Sequence, residues 1–163
     1  PLLSDLSGPV TLHAPVLTLF KSMDDVPMVQ RQCSEMMALL GLQRPMLAGH
    51  GAGAAVAAEL AAAAPDDFDH LFLIAPLGMD AGQRPVSGEG MENRLAHIHV
   101  RTTLIRGKQD AIVTNAAILD LARLLPNSAL ITVPEAGHNV VNTRTDAVAR
   151  GFLHGLRVSG GAD

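Results

Sequence analysis

An aspartate and a histidine, Asp110 and His138, each follow an apolar run, and the glycine-rich stretch Gly49-His50-Gly51-Ala52-Gly53 separates another such run from an alanine-rich segment. Carboxylates and imidazoles are the side chains that take up and return protons in general acid–base catalysis. A hydroxyl or thiol would add a nucleophile, and the glycine-rich stretch has neither. Gly51 tolerates backbone angles that other residues populate poorly, so it relaxes a tight turn and brings no side-chain chemistry to it.

The surrounding pattern predicts how such residues are carried. Arg44-Pro-Met-Leu-Ala48 reads as a buried strand, and Ala52 to Ala64, interrupted only by Glu59 and stopped at Pro65, as a helix whose small side chains lie close to a sheet. Gly49 and Gly53 are expected to leave room where strand, turn and helix cross. Ser22 and Asp25 open a helical pattern in a capping-box arrangement, with Val29, Cys33, Met36, Met37 and Leu40 on one face until Gly41. Further strands are expected at 10–14, 71–75, 100–105 and 129–133, with a related signal from Val16 to Phe20, and helices at 114–125 and 143–157. Strand and helix signals that alternate in this way predict parallel strands joined by crossover helices. Met79 to Asn93 reads as loop and Ser159 to Asp163 as a flexible tail, and the sequence has no internal repeat.

Together these segments resemble the α/β-hydrolase superfamily. The turn at 49–53 resembles that family's G-x-S-x-G nucleophile elbow with glycine at the serine position. Leu104-Ile-Arg-Gly-Lys-Gln-Asp110 resembles its strand-then-acid segment, and Val133-Pro-Glu-Ala-Gly-His138 the loop that delivers its histidine. The resemblance implies an α/β three-layer sandwich with a mostly parallel sheet of about five strands, in one domain over 1–158. It also implies a catalytic site in which Gly51 marks the lost nucleophile, Asp110 the acid and His138 the base, in the chain order the family uses. The likeness begins partway into the family, with Val10 to Pro15 similar to its fourth strand. Its first three strands, the oxyanion loop after the third and the usual cap are expected to be missing. Strand 10–14 is then expected to fill the vacant place beside 44–48, or a homodimer or partner chain to cover that edge.

Composition narrows the partners. With 163 residues and 48% hydrophobic content, the chain is long enough for one domain with a core. A formal net charge of −4, no Trp or Tyr and four Phe argue against a nucleic-acid surface. The single Cys33 excludes an internal disulfide and reads as a small apolar helix residue. No stretch has the apolar length of a membrane span or the layout of a signal peptide, so a cytoplasmic protein with no membrane association is expected. The chain begins at Pro1, as a processed product or a piece of something longer would.

Other residues have plainer readings. His50 reads as a packing residue, Met36 and Met37 as core filler, and Asp66, Asp67 and Asp69 as a solvated turn. His97 and His99 alternate onto one face and form half a metal site, but no third ligand accompanies them, so neither a metal nor any other cofactor is expected. Gly49-x-Gly51-x-x-Ala54 also matches a dinucleotide fingerprint, yet the following strand runs into Pro76, Leu77 and Gly78 where an acid for the ribose belongs.

The functional expectation is a protein related to ester and carbon–carbon bond hydrolases and impaired as a serine hydrolase. Three uses of such a chain remain open at this level. It is a residual Asp–His general-base hydrolase of a small ester or acyl ligand, or a non-catalytic binding domain in the manner of the N-myc downstream-regulated proteins, or a fragment of a larger hydrolase.

Overall fold

A computed structural model describes residues 11–14, 25–77, 79 and 91–159. Four strands form one parallel sheet in the order β1 (Met46–His50), β2 (His70–Ile74), β3 (Arg101–Gly107) and β4 (Ser128–Val133). The register pairs Gly49 with Leu73, Leu73 with Leu104 and Leu104 with Leu130, so the carboxyl ends of the strands lie along one edge of the molecule.

Between the strands run α1 (Val26–Leu39), α2 (Ala52–Ala63), α3 (Met91–Ala96), α4 (Asn115–Leu124), α5 (Val140–Thr143) and α6 (Thr145–Ser159). Pro27 sits in the first turn of α1, where its missing N–H is no loss, and Gly41 closes the helix at φ +63°. Asp25 holds the N-cap position of α1, but its side chain makes no capping bond to the first turn, in contrast to the expected capping box. Thr114 does cap α4, accepting from the Ala117 amide at 3.2 Å.

The sheet buries both faces. On one, Leu71, Leu73 and Leu104 pack with Val29 of α1, Ala54 to Ala61 of α2, Leu95 of α3 and Ile118 of α4. Every residue from Ala54 to Ala61 is buried, which small side chains permit because they bring helix and sheet backbones close. On the other face, Ile74, Ile105 and Val133 meet Val148 and Phe152 of α6, and Phe72 stacks on Phe152 with ring centroids 4.2 Å apart. Glu59 is the one acid inside this alanine helix; its Oε1 accepts from Arg94 Nε and Nη2 at 3.0 and 2.8 Å, pinning α3 to α2. Burial pushes the Cys33 thiol pKa up, as suits a small apolar helix residue.

Several expectations are corrected. Thr11 to Ala14 is exposed and forms no strand, so the described sheet has four strands rather than about five and nothing described covers the outer edge of β1. Pro9 and Pro15 bracket the segment in the sequence and bring no ladder N–H of their own to its ends. The strand expected at 44–48 lies two residues later, because Pro45 cannot donate and Arg44 takes φ +45° ahead of it. Met91–Ala96 is a helix that begins inside the stretch read as loop and runs past its end, and α5 precedes the closing helix, which starts at Thr145. The signals at Val16–Phe20 and Ser22 and the tail beyond Ser159 lie outside the described residues. Among the described residues, no helix is long and apolar enough to cross a membrane.

At the amino-terminal end of β2, His70 is buried, stacked on Phe72 and hydrogen-bonded to Thr103 Oγ1 at 2.9 Å. Burial lowers its pKa, so the folded state favours the neutral ring. The unfolded chain then binds more protons just below the ordinary histidine value of about 6.5, and stability falls as pH drops through that value toward the folded one. Denaturant melts from pH 7 to 5 are expected to show this loss, and His70→Phe to flatten the slope.

Candidate active site

The carboxyl ends of β1, β3 and β4 carry the three positions that the sequence singled out. β1 runs into a sharp turn at Gly51, with φ +59° and ψ −123°, before α2 begins at Ala52. The Gly51 amide donates to the Ile74 carbonyl at 2.9 Å, and the Gly51 carbonyl accepts from Ala54 and Leu77 at 3.1 Å each, so the turn is fixed from both sides. These angles are costly for any residue with a Cβ and easy for glycine. A Cβ on Gly49 would run into the Gly53 backbone, whereas one on Gly53 would meet nothing within 4 Å. Gly49 is thus the residue that the crossing requires, and Gly53 is not.

Two loops deliver the acid and the histidine. Just past β3, Asp110 is buried, and its Oδ1 accepts from the Ile112 and Val113 amides at 2.8 and 2.9 Å. Burial alone would raise this carboxyl; the Val113 and Ile112 amides and the His138 ring outweigh it and hold the pKa below the usual carboxylate value. The ionised Oδ2 accepts from His138 Nδ1 at 3.0 Å. That bond places the proton on Nδ1 and leaves Nε2 with its lone pair. A Cβ built on Gly51 would lie 3.9 Å from His138 Nε2 and 3.6 Å from Leu77 Cδ1. All three expected positions therefore converge, and the basic nitrogen faces the place where a side chain at 51 would begin.

Sequence reading missed three participants. Gly107 ends β3 so close to the histidine loop that a Cβ there would overlap the Gly137 and Ala136 carbonyls, and Gln109 N donates to Ala136 O at 2.8 Å. Arg106 is buried beside them, donating from Nε to Val113 O at 2.7 Å and from Nη2 to Asp110 O at 3.1 Å, so it grips both ends of the acid loop. His50 is exposed, and its ring bonds to the His138 carbonyl at 3.2 Å. A charged residue inside an apolar strand and the Gly-x-x-Asp spacing after it were the available signals for the first two. Backbone strain gathers here as well: Ala75, just past β2, and Glu135, just past β4, have φ of +42° and +53°.

His97 and His99 are exposed, and no cluster of three metal-ligating side chains occurs among the described residues. An apolar crevice lined by Pro76, Met79, Val113 and Ile118 opens beside the acid loop.

The fold defined by this sheet and this edge is that of the α/β-hydrolases. Among solved structures, the chain is similar to a CIB-like hydrolase from Thermoplasma acidophilum, with 20% identity over 82% of this chain and 60% of that one and a TM-score of 0.71. It is also similar to the 2-hydroxy-6-oxo-6-phenylhexa-2,4-dienoate hydrolase of Rhodococcus sp. strain RHA1, with 19% identity, coverage of 83% and 72%, and a TM-score of 0.71. An esterase from Exiguobacterium antarcticum matches at 13% identity, with coverage of 82% and 74% and a TM-score of 0.70. The chain thus spans less than two thirds of the length of the Thermoplasma protein. A scan against protein-family models finds no match, and neither does a search of curated proteins.

Gly107→Ala is expected to force the acid and histidine loops apart at a cost of about 1–3 kcal/mol. A lowered denaturant midpoint together with loss of the Asp110–His138 hydrogen bond by NMR would verify it. An unchanged midpoint would show that the two backbones are not as close as described.

Proposed function

We propose that this chain is a hydrolase-fold protein impaired as a serine hydrolase, and that Asp110 and His138 act as a general-base pair delivering water to a small ester or acyl compound. The observation that carries the reading is the placement of His138 Nε2, 3.9 Å from where a Cβ on Gly51 would lie, while Nδ1 is hydrogen-bonded to the Asp110 carboxylate. Covalent acyl transfer has no hydroxyl to begin from at Gly51. In the remaining route, Nε2 takes a proton from a water molecule as the water oxygen attacks the carbonyl carbon. The imidazolium, stabilised by Asp110, then returns the proton to the leaving alkoxide, giving acid and alcohol. Positioned general bases contribute about 10²–10⁴-fold, so turnover is expected to be slow.

Steady-state assays on short-chain esters test this directly. His138→Ala is expected to lower turnover by about 10²-fold or more, and Asp110→Asn to lower it while keeping the Ile112 and Val113 amide bonds. Gly51→Ser supplies the missing hydroxyl, and a serine-directed phosphonate is expected to label that variant at position 51 and leave the natural chain unlabelled there. If the natural chain shows no turnover while Gly51→Ser is labelled, the geometry is competent and the protein binds rather than hydrolyses. Absence of turnover by the natural chain would refute the general-base assignment, whether or not Gly51→Ser is labelled.

A further inference from the structure

We infer that His50 is a positioning residue for His138, clamping the backbone of the histidine loop from the rigid end of β1. A carbonyl oxygen only accepts, so the 3.2 Å contact between His50 Nε2 and His138 O requires that Nε2 carry the proton and donate. The two rings lie 5.5 Å apart and are tilted by 38°, so the pair adds ring contact to the hydrogen bond.

The value of the contact lies in what each partner is attached to. His50 is paired in the sheet, in register with Ile74, whereas His138 sits in the loop that follows β4. That loop is held at every second carbonyl. Pro134 O accepts from Arg144 Nη1 at 2.8 Å, Ala136 O from the Gln109 amide at 2.8 Å, and His138 O from His50. The first tie comes from the turn between α5 and α6, the second from the acid loop and the third from β1. Asp110 fixes the His138 ring through Nδ1, and His50 fixes its peptide, so Nε2 has one direction left, toward position 51. A group held within a fraction of an ångström needs support of this kind from packed elements.

This inference rests on the proposed function insofar as His138 is taken as the base, but its test reads the pair and not turnover. The proton on His138 Nδ1, bridged to Asp110, is followed by NMR in the natural chain and assigned through its loss in His138→Ala. His50→Phe keeps a ring and removes the donor, whereas His50→Gln keeps a donor on a side chain of similar reach. Exchange of the bridging proton with water is expected to be about fivefold faster in His50→Phe, the size of one ordinary hydrogen bond, and close to the natural rate in His50→Gln. Both variants are expected to keep the parent melting transition, since His50 is exposed. Equal exchange in His50→Phe and the natural chain would overturn the inference, and so would equal acceleration in both variants, which would leave ring packing as the whole effect. Absence of the bridged proton from the natural chain would remove the Asp110–His138 pair itself and, with it, anything for His50 to position. Slow exchange restored by glutamine in a chain without esterase turnover would uphold the positioning role while refuting the hydrolytic one.

Discussion

The contact of Gly107 with the backbone at Ala136 and Gly137 is the constraint on which the rest of the site depends. β3 and β4 pair in register down to Gly107 and Val133, and the ladder continues past them as Lys108 N donates to Val133 O and Gln109 N to Ala136 O. Because the sheet brings these two exits together, a buried carboxylate and a loop imidazole meet at hydrogen-bond distance without either chain segment being long. Arg106 then sets the acid loop from beneath, placing a guanidinium against two carbonyls where water is excluded.

The elbow contributes from the other side of the sheet. Its backbone is held by hydrogen bonds to Ile74 and Leu77, yet it ends in a hydrogen atom where the geometry has room for a side chain. Conformation and chemistry have come apart at this position: the strained angles remain, and glycine bears them at little cost. The histidine opposite is still oriented, because none of the bonds that orient it passes through residue 51.

Much of this was legible in the residues, and the misses have physical causes. The four strands from β1 to β4 and the helices α2, α4 and α6 follow from alternating apolar runs and from the stop at Pro65. Asp110 and His138 stood out together, each after an apolar run and in the chain order that the resemblance to the α/β-hydrolases implies. β1 was displaced by two residues because Gly49 and His50 have little strand propensity of their own and are held extended by pairing with Leu73 and Ile74. The strand expected at 10–14 failed for the opposite reason, as local pattern without a described partner is not a strand. α3 and α5, of six and four residues, are too short to show a period. His50 could not have been found from type or spacing, since its role lies in a hydrogen bond across 88 positions of chain.

The Glu59–Arg94 pair has a consequence for how α3 can move. Both side chains are almost wholly enclosed, and the carboxylate sits inside a helix that is otherwise glycine, alanine, valine and leucine. A neutral anchor would let a six-residue helix slide or tilt by small steps, because apolar contacts exchange for one another at little penalty. Two opposite charges sealed in oil do not grade in this way, since any partial separation strands an ion far from water. The segment that enters β3 is therefore held by charge as well as by packing, and drawing the pair apart carries a penalty that sliding apolar contacts do not.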